Sequence, residues 1–137
     1  MIKLEDHVTS LGLSRKLKEL GVKQESLFYL VCVDSLAEPE WIILTEEKVR
    51  SKEEDEINWL SEYTELVISA FTSSEIGLML PDECGTVRDY DLGFTVYGYE
   101  SLEDGSAKMN HYHECDTEAN ARAKLLIYLI ENNILKL

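Results

Sequence analysis

The chain has 137 residues, of which 45% are hydrophobic and 29% charged, values that fit one folded domain and exclude a disordered chain. Its formal net charge of −14 argues against direct binding to nucleic acid, because phosphate contacts depend on Lys and Arg. No apolar run reaches the roughly 20 residues of a membrane-spanning helix, so we expect no contact with a membrane. The first residues, MIKLEDHVTS, lack a secretory pattern and the three cysteines are widely spaced, which favours the cytoplasm.

The acidic excess lies in the middle of the chain. Residues 34–104 carry 19 acids and 4 bases, a difference of −15, whereas residues 1–25 carry 4 acids and 5 bases. Residues 105–137 carry 4 of each. This middle region is compatible with a partner protein that has a basic surface, but solubility alone explains it and is the simpler interpretation.

The first predicted element is a helix that begins after Ser10, whose side chain can cap it. Leucines follow at helical spacing, and Gly21 suits the left-handed position after the last turn, with Val22 folding back onto the helix. The charged face could suggest a helix-turn-helix DNA reader. The continuous apolar run FYLVCV that follows instead predicts a buried strand, which argues against such a reader.

Two strands, SLFYLVCV and EWIILT, flank the polar loop DSLAEPE and predict a hairpin. The acidic segment EEKVRSKEEDE follows, at residues 46–56. Whether residues 46–62 form a solvated helix or a mobile loop is left open. The candidate partner-binding residues in this segment are Glu53, Glu54, Asp55 and Glu56, and the alternative is a solvent-facing connector without a binding role.

The stretch TELVISAF predicts a third strand, and FTSSEI predicts the start of a short helix. Thr72 and Glu75 have the spacing of a capping box, while Phe71 and Ile76 occupy the positions of a hydrophobic staple. Pro81 requires that this helix end by the preceding residue.

A second hairpin is predicted from DLGFTVYGYE and AKMNHYHEC, joined through the turn signal Asp-Gly. Its two strands should pair antiparallel. Three tyrosines, Tyr97, Tyr99 and Tyr112, can gather on the outer face of this hairpin. They favour either an interface with a partner or second copy, or burial under a further element.

The motif HYHEC raises the question of a metal site. Alternation along the strand places four side chains on one face, those of Met109, His111, His113 and Cys115. The opposite face is more polar, so we expect the histidines to look inward or to the sheet edge.

Only His111 and His113, about 6.7 Å apart along the strand, could chelate a metal as a pair. A third ligand would have to come from elsewhere, with Cys84 or Asp89 as candidates. Cys115 has no activating signature around it, and no catalytic residue is predicted.

The last predicted element is a helix over DTEANARAKLLIYLIENNIL, with Asp116 or Thr117 as its cap. Its apolar face comprises Ala119, Ala123, Leu126, Ile127, Ile130 and Ile134, widened by Leu125 and Leu129. So wide an arc indicates burial across a sheet. Ile130→Ala should cost roughly 2–5 kcal/mol. The predicted fold is a single α+β domain over residues 1–137, a mainly antiparallel sheet of about five strands with helices packed on it.

Three segments together resemble a known group of proteins: VTSLGLSRKLKELGVKQESLFYL, ISAFTSSEIGLMLP and DTEANARAKLLIYLIENNIL. The group comprises short uncharacterised proteins of phages, prophages and mobile elements of Bacteroides-like gut bacteria. The resemblance implies no activity, cofactor or site residue. The acidic segment 46–62 and HYHEC lie outside the matching stretches.

We therefore expect a non-enzymatic accessory protein of a phage or mobile element that binds another macromolecule through an acidic surface. A sharper version is inhibition of a host defence protein by imitation of nucleic acid. The alternative is a small-ligand or metal-binding protein, or an enzyme, built around His111 and His113. Motifs for a nucleophile elbow, a phosphate-binding loop, HExxH or CxxC are absent from the sequence, and no cofactor is expected.

Overall fold

The computed structural model describes residues 3–34, 39–50, 67–81, 84–89, 93–101 and 107–137. The helices are α1 (Leu11–Glu19), α2 (Glu46–Arg50), α3 (Ser73–Met79) and α4 (Glu118–Glu131), with a 3₁₀ turn over Leu4–Asp6. The strands are β1 (Phe28–Asp34), β2 (Pro39–Thr45), β3 (Val67–Ala70), β4 (Gly85–Asp89), β5 (Gly93–Ser101) and β6 (Ala107–Cys115). The predicted α+β class is confirmed.

The strands form two antiparallel sheets, one in the order β2-β1-β3 and one in the order β4-β5-β6. In the first, Leu30 lies opposite Ile43 on one side and Ile68 on the other. Both predicted hairpins are present. The described residues form one strand more than expected because β4, which carries the mostly polar sequence GTVRD, pairs with β5.

Helix α1 has the caps that its sequence predicts. The Ser10 hydroxyl accepts a hydrogen bond from the Leu13 backbone N–H. At the other end Gly21 has φ of 91°, and Val22 N–H donates to the Leu17 carbonyl at 3.0 Å. This left-handed turn satisfies carbonyls that the last turn of a helix otherwise leaves unpaired.

A buried polar network joins the start of α1 to the strand β3. Thr9 N–H donates to the Phe71 carbonyl at 2.9 Å, and Phe71 N–H donates to the Thr9 hydroxyl oxygen at 3.0 Å. The hydroxyls of Thr9 and Ser14 lie 2.7 Å apart. Because these groups satisfy each other, they can be buried without leaving unpaired polar atoms.

The capping box of α3 is present on both sides. Glu75 N–H donates to the Thr72 hydroxyl at 3.2 Å, and Thr72 N–H donates to Glu75 Oε1 at 3.0 Å. Phe71 and Ile76 are fully buried in the same core. The helix ends before Pro81, as predicted.

Helix α4 lies in the main core and contacts α1, α3, β5 and β6. Thr117 caps it. Its buried residues are Ala119, Ala121, Ala123, Leu125, Leu126, Ile127 and Leu129. Alanines in the first half let the backbone approach its neighbours closely, and the larger leucines and isoleucine fill the space further along.

Two expectations for the end of α4 are wrong or weakened. The helix stops at Glu131, since Asn133 adopts a left-handed conformation with φ of 57°. Ile134 therefore leaves the helical face and is 54% exposed. Ile130 is only half-buried at the edge of the core.

Within the described part of the chain, no helix combines the length and apolarity needed to cross a bilayer.

Candidate functional site

The register of β6 shows which way one histidine of HYHEC faces. His113 lies opposite Val96, which is fully buried against α4. Residues opposite each other share a face of the sheet, so His113 faces α4. Its ring lies 5.3 Å from the ring of Tyr128, tilted by 49°. The inward orientation expected for the histidine face therefore holds at His113.

Cys115 lies on the same face and packs against the edge of the core. Its thiol donates to Asp116 Oδ1 at 3.3 Å. At the other end of β6 a register shift between Gly98 and Tyr99 pairs Tyr99 with Met109. This bulge interrupts the regular pairing of β5 with β6, and the side chain of Met109 lies outside the described residues.

The metal hypothesis stays a prediction. Among the described residues, no three His, Cys, Asp or Glu side chains are arranged to hold a metal ion. Cys84, a proposed third ligand, is half-buried and packs against the core. The side chains of His111 and Asp89 lie outside the described residues.

Two other groups of candidates also fall outside the described side chains. The four acids Glu53, Glu54, Asp55 and Glu56 lie in the undescribed stretch 51–66. For the tyrosines of the last hairpin only the backbone is described, and there Tyr97 lies directly opposite Tyr112.

A groove opens beside His113, where α1, β6 and the second half of α4 meet. Its volume is about 430 Å³. Its lining residues are Leu13, Lys16, His113, Lys124, Ile127, Tyr128, Glu131 and Asn132. We call it the His113 groove.

Helical spacing explains why these side chains converge. Lys124, Ile127, Tyr128 and Glu131 stand at i, i+3, i+4 and i+7 of α4, which is one face of a helix. Leu13 and Lys16 of α1 are likewise three residues apart. The sequence pattern predicts the apolar members of this set, whereas the hydrophobic periodicity of α4 alone does not indicate Lys124, Tyr128 and Glu131.

The polar side chains of the groove differ in the length and exposure of the contacts that they make. Lys124 Nζ donates to the Glu114 carbonyl at 3.1 Å, and Asn132 Nδ2 donates to the Tyr128 carbonyl at 2.9 Å. The Lys16 ammonium lies 3.9 Å from Glu131, and both side chains are nearly half exposed. Such an open pair at long distance contributes little to stability.

On the opposite side of α4, one side chain, Arg122, makes several short contacts to other elements. Arg122 Nη2 lies 2.9 Å from Glu118 Oε1, its Nη1 donates to the Ser73 carbonyl at 2.8 Å, and its Nε donates to the Thr86 hydroxyl at 3.1 Å. One guanidinium thus joins α4 to α3 and β4. Gly77 makes room for it, since a Cβ there would lie 2.5 Å from Arg122 Nη1.

A second depression of about 400 Å³ lies at the N-terminal ends of α3 and α4. It is bordered by Asp6, His7, Asp116 and Glu118. The Ser73 hydroxyl borders it as well, and this buried oxygen has no hydrogen-bond partner among the described residues. Three carboxylates around one opening disfavour an anionic ligand.

Comparison of the chain with protein-family models, with curated proteins and with solved structures finds no match. The resemblance to proteins of mobile elements therefore stays a prediction.

Proposed function

We propose that this chain is a non-enzymatic accessory protein of a phage or mobile element that binds a basic surface of a partner protein through its acidic middle segment. The observation that carries this proposal is the charge distribution. Residues 34–104 have a net charge of −15, from 19 acids and 4 bases, whereas both ends of the chain are nearly neutral. Charge concentrated in this way steers association with a surface of opposite sign.

The described start of the acidic segment supports the proposal in part. Helix α2 follows β2 directly, and Glu47 and Lys48 are exposed to solvent. Four consecutive acids, residues 53–56, follow further along the chain. Consecutive like charges repel one another, so a basic partner would relieve that repulsion.

The sharper form of the proposal is imitation of nucleic acid, in which the partner is a host defence protein whose basic site normally holds phosphates. Binding of that kind depends on many charge pairs at once and weakens steeply with salt. It also predicts that duplex DNA competes with the chain for the partner.

The test uses a variant in which Glu53, Glu54 and Glu56 become Gln and Asp55 becomes Asn. Proteins retained from a host lysate by the immobilised wild-type chain are identified, and the affinity of the main one is measured for wild type and variant. We expect the variant to lose most of its affinity, and the wild-type affinity to fall as salt is raised. A short DNA duplex should displace the chain.

A matched control removes the same number and kind of charges elsewhere. Glu5, Asp6, Glu19 and Glu25 are all exposed in the described N-terminal part, and their amide variants change the net charge equally. This control should keep its affinity. Equal losses in the two variants would point to net charge alone, and full affinity in the 53–56 variant would refute the proposed binding segment.

A further inference from the structure

We propose that the His113 groove binds a small organic anion with a flat apolar body, of which an aromatic carboxylate is the simplest example. The proposal does not rest on the acidic segment, because the described lining residues all lie outside positions 34–104.

The size and floor of the groove suit such a ligand. Its volume of about 430 Å³ lies in the lower part of the range of small-molecule sites, roughly 300–1,000 Å³. Leu13 and Ile127 provide aliphatic surface, and the half-buried rings of His113 and Tyr128 lie at an angle of 49°. Aromatic rings prefer tilted or offset neighbours, so a third flat ring can pack against this pair.

The charges of the described rim favour an anionic ligand. Lys16 and Lys124 contribute two ammonium groups and Glu131 one carboxylate, so these three described side chains sum to one positive charge. This excess occurs in a chain of net charge −14. The loose contact of Lys16 with Glu131, at 3.9 Å, leaves that ammonium able to turn toward a bound carboxylate.

The other depressions do not offer this combination. The one at the ends of α3 and α4 is bordered by three carboxylates. The one that includes Cys84 contains Arg122, whose guanidinium is already bonded to three different groups. Among the described residues, the His113 groove is thus the depression in which adjacent aromatic rings and two lysines face the same space.

The test is a titration of the isotope-labelled full chain, followed by nuclear magnetic resonance, with three probes. 1-Naphthoate carries both the ring and the charge, naphthalene-1-methanol carries the ring alone, and acetate carries the charge alone. We expect 1-naphthoate to shift the signals of His113, Tyr128 and their neighbours, with a dissociation constant on the order of 1 mM. The other two probes should bind at least several-fold more weakly.

Two variants with the same change in charge sharpen the test. Lys16→Gln with Lys124→Gln should weaken 1-naphthoate binding by about fivefold. Lys23→Gln with Lys136→Gln should leave it unchanged, since both lysines are exposed outside the groove. The three-probe comparison uses the wild-type chain, so it decides the question even if a variant folds poorly.

Four outcomes would overturn the proposal. Shifts that map away from α1, β6 and α4 would place the ligand elsewhere. Equal binding of naphthalene-1-methanol would remove the role of the charge, and equal binding of acetate would remove the role of the ring. Unchanged affinity in the folded Lys16 and Lys124 variant would exclude those residues from the site.

Discussion

Arg122 and Lys124 stand two residues apart on α4, and they show two different uses of a positive charge. Arg122 is only 23% exposed and joins three elements through bonds of 2.8–3.1 Å. Lys124 lies at the rim of the His113 groove and makes one hydrogen bond to a carbonyl. The planar guanidinium can donate to several fixed acceptors at once, whereas an ammonium on a flexible side chain can reorient toward a bound ligand.

The comparison separates the side of α4 that holds the fold from the side that can receive a ligand. On the Arg122 side the guanidinium already contacts three groups of the chain, so a ligand would have to replace those contacts. On the Lys124 side the charges are weakly paired and lie beside aromatic surface. The same helix can therefore be stable and still present a binding surface.

The largest effect on stability should come from the core beneath both sides. Leu126 is fully buried, so Leu126→Ala should lower the free energy of unfolding by roughly 2–5 kcal/mol. Ile130 is half-buried, and Ile130→Ala should cost less than the value predicted from the sequence. Urea denaturation of the two variants measures the difference. Equal losses would show that α4 is not oriented as described.

A direct comparison of the two cations comes next. Arg122→Met removes three contacts and leaves Glu118 without its partner, so we expect a loss of roughly 2–3 kcal/mol. Lys124→Met should change the free energy of unfolding by less than about 1 kcal/mol. The same denaturation experiment applies. If Lys124→Met were as costly as Arg122→Met, the distinction between the two sides of α4 would fail.

Much of the fold could be predicted because local signals agreed with the final structure. The caps at Ser10, Gly21, Thr72 and Thr117 act within one turn of a helix, and their partners lie nearby in the sequence. The missed strand β4 has no such signal. Its polar sequence becomes a strand because β5 lies beside it, a contact that local pattern does not encode.

The site was harder to predict for a related reason. HYHEC predicts a metal ligand at His113, and its pattern does not indicate the ring contact with Tyr128, 15 positions away on another element. The groove requires α1, β6 and α4 to meet, and the sequence indicates each element without their mutual placement. Arg122 was overlooked likewise, since Thr86 and Ser73 are far from it along the chain.

A smaller loss of stability is expected from removing the N-terminal cap of α3, the helix that Arg122 joins to α4. Thr72→Ala removes the oxygen that accepts from Glu75 N–H, and we expect a loss of about 1 kcal/mol. Thr72→Ser keeps that oxygen and serves as the control, with a smaller loss. Thermal unfolding of the two variants gives the comparison. Identical melting temperatures for Ala and Ser would show that this hydrogen bond does not matter.

Gly77 provides the finest test, because its effect should change sign with the residue at position 122. In the wild type an added Cβ would lie 2.5 Å from Arg122 Nη1, which the Ser73 carbonyl holds in place, so Gly77→Ala should destabilise the protein. With Arg122→Ala the space is open, and the better helix propensity of Ala should stabilise the protein by up to about 1 kcal/mol. Urea denaturation of the two single variants and the double variant measures this coupling. A Gly77→Ala effect of the same size and sign in both backgrounds would mean that the guanidinium does not occupy the space beside α3, and the contrast between Arg122 and Lys124 would then lose its geometric basis.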